Sequence, residues 1–373
     1  MKRSAKMKTI ETNVIYENPL PQLRSRQAYF PWLTKCADRR IAAVYGIGEA
    51  FESVDMASYI SYSSDGGKTW TAPEKMLDHS AFPVKISESS KAIALSDGRL
   101  VTLGYAYDRT NPDLPMGNPE TGGLLDDYVF WAESCDNGKT WSKPSVIECA
   151  WGPHVEASAP ITVLKNGTWI TPITGFPSWE GQKLGKTCGR ALRSDDEGKT
   201  WCDDAICMDF GDDDTCCYEQ RMCELESGTI INIGWNETYS TGERKENHFT
   251  YSTDGGKTWT APASTGVRGQ ASSLLSLGGE KFLALHAIRR DTDRPGIYGY
   301  IIDFSEKTWK IIDSALLWEP NAPVLRDNKM AEIFAFLKFG QPGAIILDDG
   351  DLLMSHWYAE DGRYKTVATR IKL

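Results

Sequence analysis

The sequence predicts an all-β fold, a six-bladed β-propeller with four-stranded antiparallel blades. Two internal repeats and a scarcity of helix signals predict it. A strand–turn–strand unit recurs six times, and one octapeptide recurs four times. The spacing of the copies leaves room for one four-stranded sheet per unit, and the reading assigns residues 1–373 to a single domain.

The strand–turn–strand units cover residues 33–44, 92–103, 161–170, 223–233, 274–285 and 344–354. Each is an apolar run, a two-residue turn and a second apolar run. The turns are Asp38-Arg39, Asp97-Gly98, Asn166-Gly167, Ser227-Gly228, Gly278-Gly279 and Asp349-Gly350. Five of the six end in glycine, the residue that tolerates the left-handed conformation a tight hairpin needs.

The octapeptide S-x-D-x-G-x-T-W spans residues 63–70, 134–141, 194–201 and 252–259, with a worn copy at 303–309. Its residue types explain themselves. The Asp carboxylate folds back onto turn amides, Gly takes a conformation barred to other residues, and Trp packs beneath the hairpin. A C-terminal strand over 364–373 is expected to be the third of the last sheet. A strand near 12–16 is expected to be its fourth and to close the ring. Residues 109–126 read as a long loop over one face.

Composition narrows the function. The net charge is −10, from 41 basic and 51 acidic side chains, which argues against a general nucleic-acid binder. No apolar run is long enough for a spanning helix, so no membrane partner is expected. The N-terminal segment has lysines but no apolar core, so a cytoplasmic protein is expected, or one whose leader is absent. Nine cysteines is an odd number at irregular spacing, which suits reduced thiols better than a disulfide framework. A zinc site among Cys188, Cys202, Cys207, Cys216, Cys217 and Cys223 would lack both a C-x-x-C pair and a nearby His. No metal or cofactor is expected.

In a propeller the innermost strands begin around a central channel, and the loops after the hairpins return to the same face. The segments leading into the hairpins supply Arg24, Arg26, Lys85, Glu88, His154, Glu156, Glu219, Arg221, Arg268, Gln270 and Gln341. The following loops supply Glu49, Glu52, Asp55, Trp179, Trp235, Arg289, Arg290, Arg294, His356 and Tyr358. Arg forks carboxylates and Trp stacks on pyranose faces, so this set suits an anionic sugar.

The octapeptides and the hairpin pattern together resemble the Asp-box (BNR) repeats of the sialidase, or neuraminidase, superfamily. The resemblance covers nearly the whole chain. It implies a glycoside hydrolase of exo-α-sialidase type, acting on a terminal sialic acid or another acidic glycan residue. In that family a Tyr activated by a Glu is the nucleophile, an Asp is the acid/base, and three Arg clamp the substrate carboxylate. By position Arg26, or Arg24, resembles the first clamp arginine. Asp55 resembles the acid/base, and Glu219 the Glu that activates the tyrosine. Arg294 falls at the third clamp, with Arg289 and Arg290 competing. Arg221, Arg268, Trp235, Gln341 and His356 complete the expected substrate-binding set.

Two positions depart from the family pattern. Gly234-Trp-Asn-Glu237 stands where the second clamp arginine is expected. Phe339-Gly-Gln-Pro342 stands where the nucleophilic tyrosine is expected, and Tyr358 is the substitute phenol nearest in the chain. A glycan lyase with His154, His356 or Tyr358 as base, a glycosidase of other chemistry, and a carbohydrate-binding propeller therefore stay open. Oligomeric state is not readable.

Overall fold

A computed structural model describes residues 7–51, 53–321 and 338–373. Glu52 lies outside the described residues. The chain forms six antiparallel sheets arranged as the blades of a propeller. Blade 1 is Gln27–Lys35, Ile41–Gly48, Ala57–Ser63 and Glu74–Lys75. Blade 2 is Ile86–Ala94, Leu100–Asp108, Asp127–Ser134 and Ser145–Ile147. Blade 3 has a broken inner strand, Val155–Glu156 then Thr162–Val163, followed by Trp169–Gly175, Gly189–Ser194 and Cys202–Met208. Blade 4 is Thr215–Glu224, Ile230–Thr238, His248–Ser252 and Ala263–Ser264. Blade 5 is Gln270–Gly278, Lys281–Ile288, Gly296–Asp303 and Lys310–Trp318. Blade 6 is Phe339–Ile346, Leu352–Glu360 and Arg363–Lys372, with Lys8–Tyr16 as its outer strand. The two chain ends thus share one sheet and close the ring.

The hairpin turns behave as their residues require. Arg39, Gly98, Gly167, Gly228, Gly279 and Gly350 all have positive φ, between 58° and 93°. Arg39 is the one turn that carries this conformation without glycine.

The core lies between blades. Second strands are buried along nearly their whole length, as in Ile41–Gly48 and Leu100–Asp108, because a neighbouring sheet covers each face. The outer strand Lys8–Tyr16 instead alternates exposed and half-buried residues for most of its length. Tyr62, Phe82, Leu100 and Phe130 pack between blades 1 and 2. Trp151, Trp169 and Leu192 continue the core between blades 2 and 3.

The octapeptides lock this packing at the periphery. In the first, Asp65 accepts the Thr69 hydroxyl at 2.6 Å, Ser63 Oγ accepts the Gly67 amide at 2.8 Å, and Trp70 Nε1 donates to Gly67 O at 3.2 Å. The Asp–Thr bond recurs at 2.6, 2.7 and 2.6 Å in the other three copies. Each box presses on the preceding blade. Tyr62 of blade 1 donates to Asn137 O at 2.6 Å, and a Cβ on Gly138 would overlap the Tyr62 hydroxyl. The worn fifth copy keeps Trp309 between Phe249 and Phe282, but its buried Nε1 has no hydrogen-bond partner among the described residues.

Four of the six inner strands carry a β-bulge at the same level. The bulges contain Phe30, Glu219, Ala271 and Gln341, with φ of 58°, 42°, 51° and 44°. None is glycine, so each is a strained position held by its surroundings. A bulge re-aims the side chain it carries. Two of the four, Glu219 and Gln341, are polar and meet at the centre.

Candidate functional site

The site assembles where the inner strands begin. Glu219 projects from the bulge of blade 4. Its Oε1 accepts from Gln341 Nε2 of blade 6 at 2.5 Å, and its Oε2 accepts from Trp235 Nε1 at 2.9 Å. The Glu219 amide donates to Glu156 Oε2 of blade 3 at 3.0 Å. Glu156 also accepts from the Ser158 hydroxyl, and Arg221 donates to that hydroxyl at 3.1 Å. Lys91 of blade 2 donates to Gln341 Oε1 at 3.1 Å and to Phe30 O of blade 1 at 3.4 Å. Arg289 of blade 5 lies against Gly340, where an added Cβ would overlap its guanidinium. All six blades therefore reach this centre.

Burial grades the cluster. Glu156, Ser158, Glu219, Trp235 and Arg289 are half-buried and keep a solvent-facing side. Lys91, Arg221 and Gln341 are buried beneath them. Two carboxylates and three cationic side chains share the space. Burial, reinforced by the charge on Glu219, raises the Glu156 carboxyl above its usual range. Burial lowers Lys91 well below an ordinary lysine, with the Arg221 charge adding to it and Glu219 and Glu156 opposing. Burial lowers Arg289 to about 10, opposed by Glu219. Its Nε is buried without a hydrogen-bond partner among the described residues. A half-buried guanidinium with a spare donor is a natural receptor for an anionic group.

A second polar cluster stands on blade 1. Asp55 Oδ1 accepts from the Glu49 amide at 2.9 Å and from Ser53 Oγ at 2.6 Å, and Oδ2 lies 3.6 Å from Arg26. Both side chains are about one-third exposed. Blade 1 also carries an aromatic group in which Tyr29, Phe30 and Phe51 pack with Trp357 of blade 6.

Other expected site residues lie elsewhere. His356 and Tyr358 are two apart on one strand and so share a face. Both pack on Trp318 of blade 5, at 4.7 and 5.1 Å between ring centroids. His356 is fully buried, both ring nitrogens lack partners among the described residues, and burial holds its pKa down to about 3. Tyr358 carries the Lys365 ammonium over its ring at 4.9 Å. It does not supply the phenol expected beside Glu219; the Gln341 amide takes that place. Arg294 is two-thirds exposed and forks Glu319 at 2.7 and 3.0 Å, so Arg289 is the blade 5 arginine that reaches the centre. Arg268 is exposed in the loop before the fifth inner strand. Glu88 is buried between blades 1 and 2, accepting from the Ser58 amide and hydroxyl at 2.6 Å each. His154 is buried, with Nε2 3.7 Å from Asp126.

Lys91 and Ser158 were not expected here. Lys91 had one visible signal, a lysine in the inner-strand run Ile86–Ala94, whose residues apart from Glu88 are otherwise serines, alanines and isoleucines. Ser158 had none. At the opposite end of the channel a cavity of about 640 Å³ opens, walled by Trp32, Ile93, Ile161 and Leu274 and reaching Arg221.

A family model described as a BNR repeat-like domain matches residues 116–311, just over half of the chain. The chain belongs to the BNR repeat-like family. Solved structures extend the likeness over the full ring. A Dyadobacter fermentans protein of unknown function shares 21% identity over 98% of this chain and 99% of its own, with a TM-score of 0.74. The Hadza microbial sialidase Hz136 shares 16% identity over 93% of this chain and 66% of its own, with a TM-score of 0.65. Trypanosoma rangeli sialidase in complex with sialic acid shares 17% identity over 98% of this chain, with a TM-score of 0.62. This BNR protein spans 59% of the length of that sialidase. At these identities the likeness is one of fold, a sialidase-like BNR propeller.

Proposed function

We propose that this BNR propeller binds an acidic sugar residue at its centre and cleaves the glycosidic bond with carboxylates instead of a tyrosine. One observation carries the reading. The Gln341 amide contacts Glu219 at 2.5 Å, at the position where the family resemblance expects a phenol. An amide is not a nucleophile, so Glu219 has no phenol to activate at that position and is free to face the sugar itself. In this scheme Glu219 supplies the carboxylate beneath the anomeric carbon. Glu219 bonds to the anomeric carbon as the glycosidic bond breaks, Asp55 gives its proton to the departing oxygen, and water, deprotonated by Asp55, then displaces Glu219 from the sugar and restores both carboxyl groups. The surplus of cationic side chains around Glu219 and Glu156 favours a substrate that brings a negative charge. Arg289 is the candidate clamp, and the half-buried Trp235 the candidate stacking face.

A panel of fluorogenic aryl glycosides tests this, with sialosides, uronides and neutral sugars side by side. The expected result is release of the aryl group from an acidic glycoside, falling roughly a hundredfold or more in both Glu219→Gln and Asp55→Ala. An unsaturated, ultraviolet-absorbing product would assign a lyase instead. A second reading, binding without turnover, is favoured by the two donors already bound to Glu219. Saturable glycan binding with no bond cleavage across the panel would establish it.

A further inference from the structure

Lys91 lies mid-way along the inner strand of blade 2 and is 4% exposed. Its Nζ faces two oxygens, Gln341 Oε1 at 3.1 Å and Phe30 O at 3.4 Å. An amine between two acceptors donates to both, whether or not it is protonated. The Gln341 amide has one accepting end and one donating end. With the amine on one side, Oε1 turns toward Lys91 and Nε2 toward the Glu219 carboxylate, 2.5 Å away. The reverse orientation would set N–H against N–H on one side and oxygen against oxygen on the other. The neighbours thus select one of the two orientations.

We propose that Lys91 is a positioning residue of the central site: through Gln341 it keeps an N–H donor on Glu219. The chain of contacts runs Lys91 Nζ, Gln341 Oε1 and Nε2, Glu219 Oε1, and from Glu219 Oε2 to Trp235 Nε1. It joins blades 2, 6 and 4, and begins at a strained carbonyl of blade 1, since Phe30 has a φ of 58°. The titratable groups around Glu219 are Glu156 on blade 3, Arg221 on its own strand, Arg289 on blade 5 and Lys91 itself. Lysine suits the role because its stem fills the apolar inner wall while its head delivers the donor. Burial lowers its own pKa, so the amine donates at low electrostatic cost to the ring.

The test uses the Trp235 indole as a reporter, because Nε1–H donates directly to Glu219. Protein labelled with ¹⁵N at tryptophan is titrated from about pH 4 to about pH 8, and the Trp235 resonance is assigned with Trp235→Phe. Without Lys91 the Gln341 oxygen loses its donor and the amide is free to turn from Glu219; a weakened donor moves a carboxylate's titration upward, so Lys91→Met is expected to shift the indole midpoint up by about one unit. Gln341→Leu should give the same shift, and adding Lys91→Met to it should change nothing further. An unmoved midpoint in Lys91→Met overturns the proposal. So does a shift that persists in the Gln341→Leu background, which would mean that the lysine acts by charge through space. If Lys91→Met does not fold, Lys91→Leu, which fills the same space without an N–H donor, carries the same expectation. The proposal deepens the hydrolase reading, and the acid limb of kcat/KM should move with the indole midpoint. Should no glycoside be turned over, that reading fails alone, and the indole titration still decides the role of Lys91.

Discussion

Replacing Glu219 by Gln should cost stability as well as turnover, and the structure gives the scale. Glu219 accepts two N–H bonds, from Gln341 at 2.5 Å and from Trp235 at 2.9 Å. A carboxylate can accept on both oxygens, but an amide has one oxygen and one NH₂. In Glu219→Gln one of the two donors must face the new NH₂. Gln341 can escape only by turning over, which leaves Lys91 Nζ facing another amino group. Either way one hydrogen bond to a charged group is lost without a replacement. Such bonds contribute about 1.5–3 kcal/mol, and partial solvent access at Glu219 favours the lower end. For a chain of this length that is a fall in Tm of roughly 2–4 °C. Thermal melts at neutral pH of the protein, Glu219→Gln, Trp235→Phe and the double variant would measure it. Trp235→Phe removes one donor and relieves the conflict in Glu219→Gln, so the double variant should lose less than the sum. Strict additivity, or an unchanged Tm in Glu219→Gln, would show that the carboxylate is not held as described.

The octapeptides make the fold acid-sensitive. The Thr69, Thr140 and Thr200 hydroxyls, with turn amides, hold Asp65, Asp136 and Asp196 down to about 2 from an ordinary 3.8. A depressed folded-state pKa stabilises above the unfolded value and is lost as pH falls; melts should therefore worsen between about pH 4 and about pH 2, and Asp136→Asn should flatten that slope. His356 is held neutral, with its pKa lowered to about 3 by burial, so its contribution is lost as pH falls from about 6.5 toward 3. His356→Phe should raise Tm at about pH 5 and leave glycoside turnover or glycan binding unchanged; a loss of either would return the residue to the site. Trp169 is 2% exposed between Trp131 and Trp201. Trp169→Ala should cost about 3–5 kcal/mol in denaturant unfolding, whereas a cost below about 1 kcal/mol would mean that the blade 2–blade 3 interface repacks.

The ring was legible because its constraints fall on residue types. Six hairpins need a left-handed residue at one turn position, and five of them use glycine there. Four boxes need an acceptor, a small residue and a packing ring in fixed order, so S-x-D-x-G-x-T-W survives as a visible string. Which strand starts reach the centre was legible too; the ion pair of Arg26 with Asp55 was not. Orientation within a strand was harder. His356 and Tyr358 looked available because their strand returns to the central face, but period two turns both toward Trp318 and puts Trp357, between them, on the blade 1 side. Arg294 lies in the expected loop, yet Glu319 holds it outside. Arg289 was separated from it by five positions in sequence, and only the folded ring distinguishes the two, by burial, by the Glu219 charge and by the close approach to Gly340.

The bulges were invisible for a deeper reason. Phe30, Glu219, Ala271 and Gln341 share one strained backbone geometry and no common side chain. A hairpin turn must be satisfied by the local residue, so it leaves a glycine behind. A bulge at the ring centre is held by neighbouring blades, as when the Phe30 carbonyl accepts from Lys91 and Gln341 bridges Lys91 to Glu219. Its cost is met by tertiary contacts, and any side chain that makes those contacts is admitted. The propeller therefore offers a set of equivalent inner positions whose chemistry can change without disturbing the repeats that define the fold. That is why strong Asp-box signals say little about activity. It is also why the Gln341 amide, standing where the family resemblance expects a phenol, bears more on the proposed chemistry than the four octapeptides together.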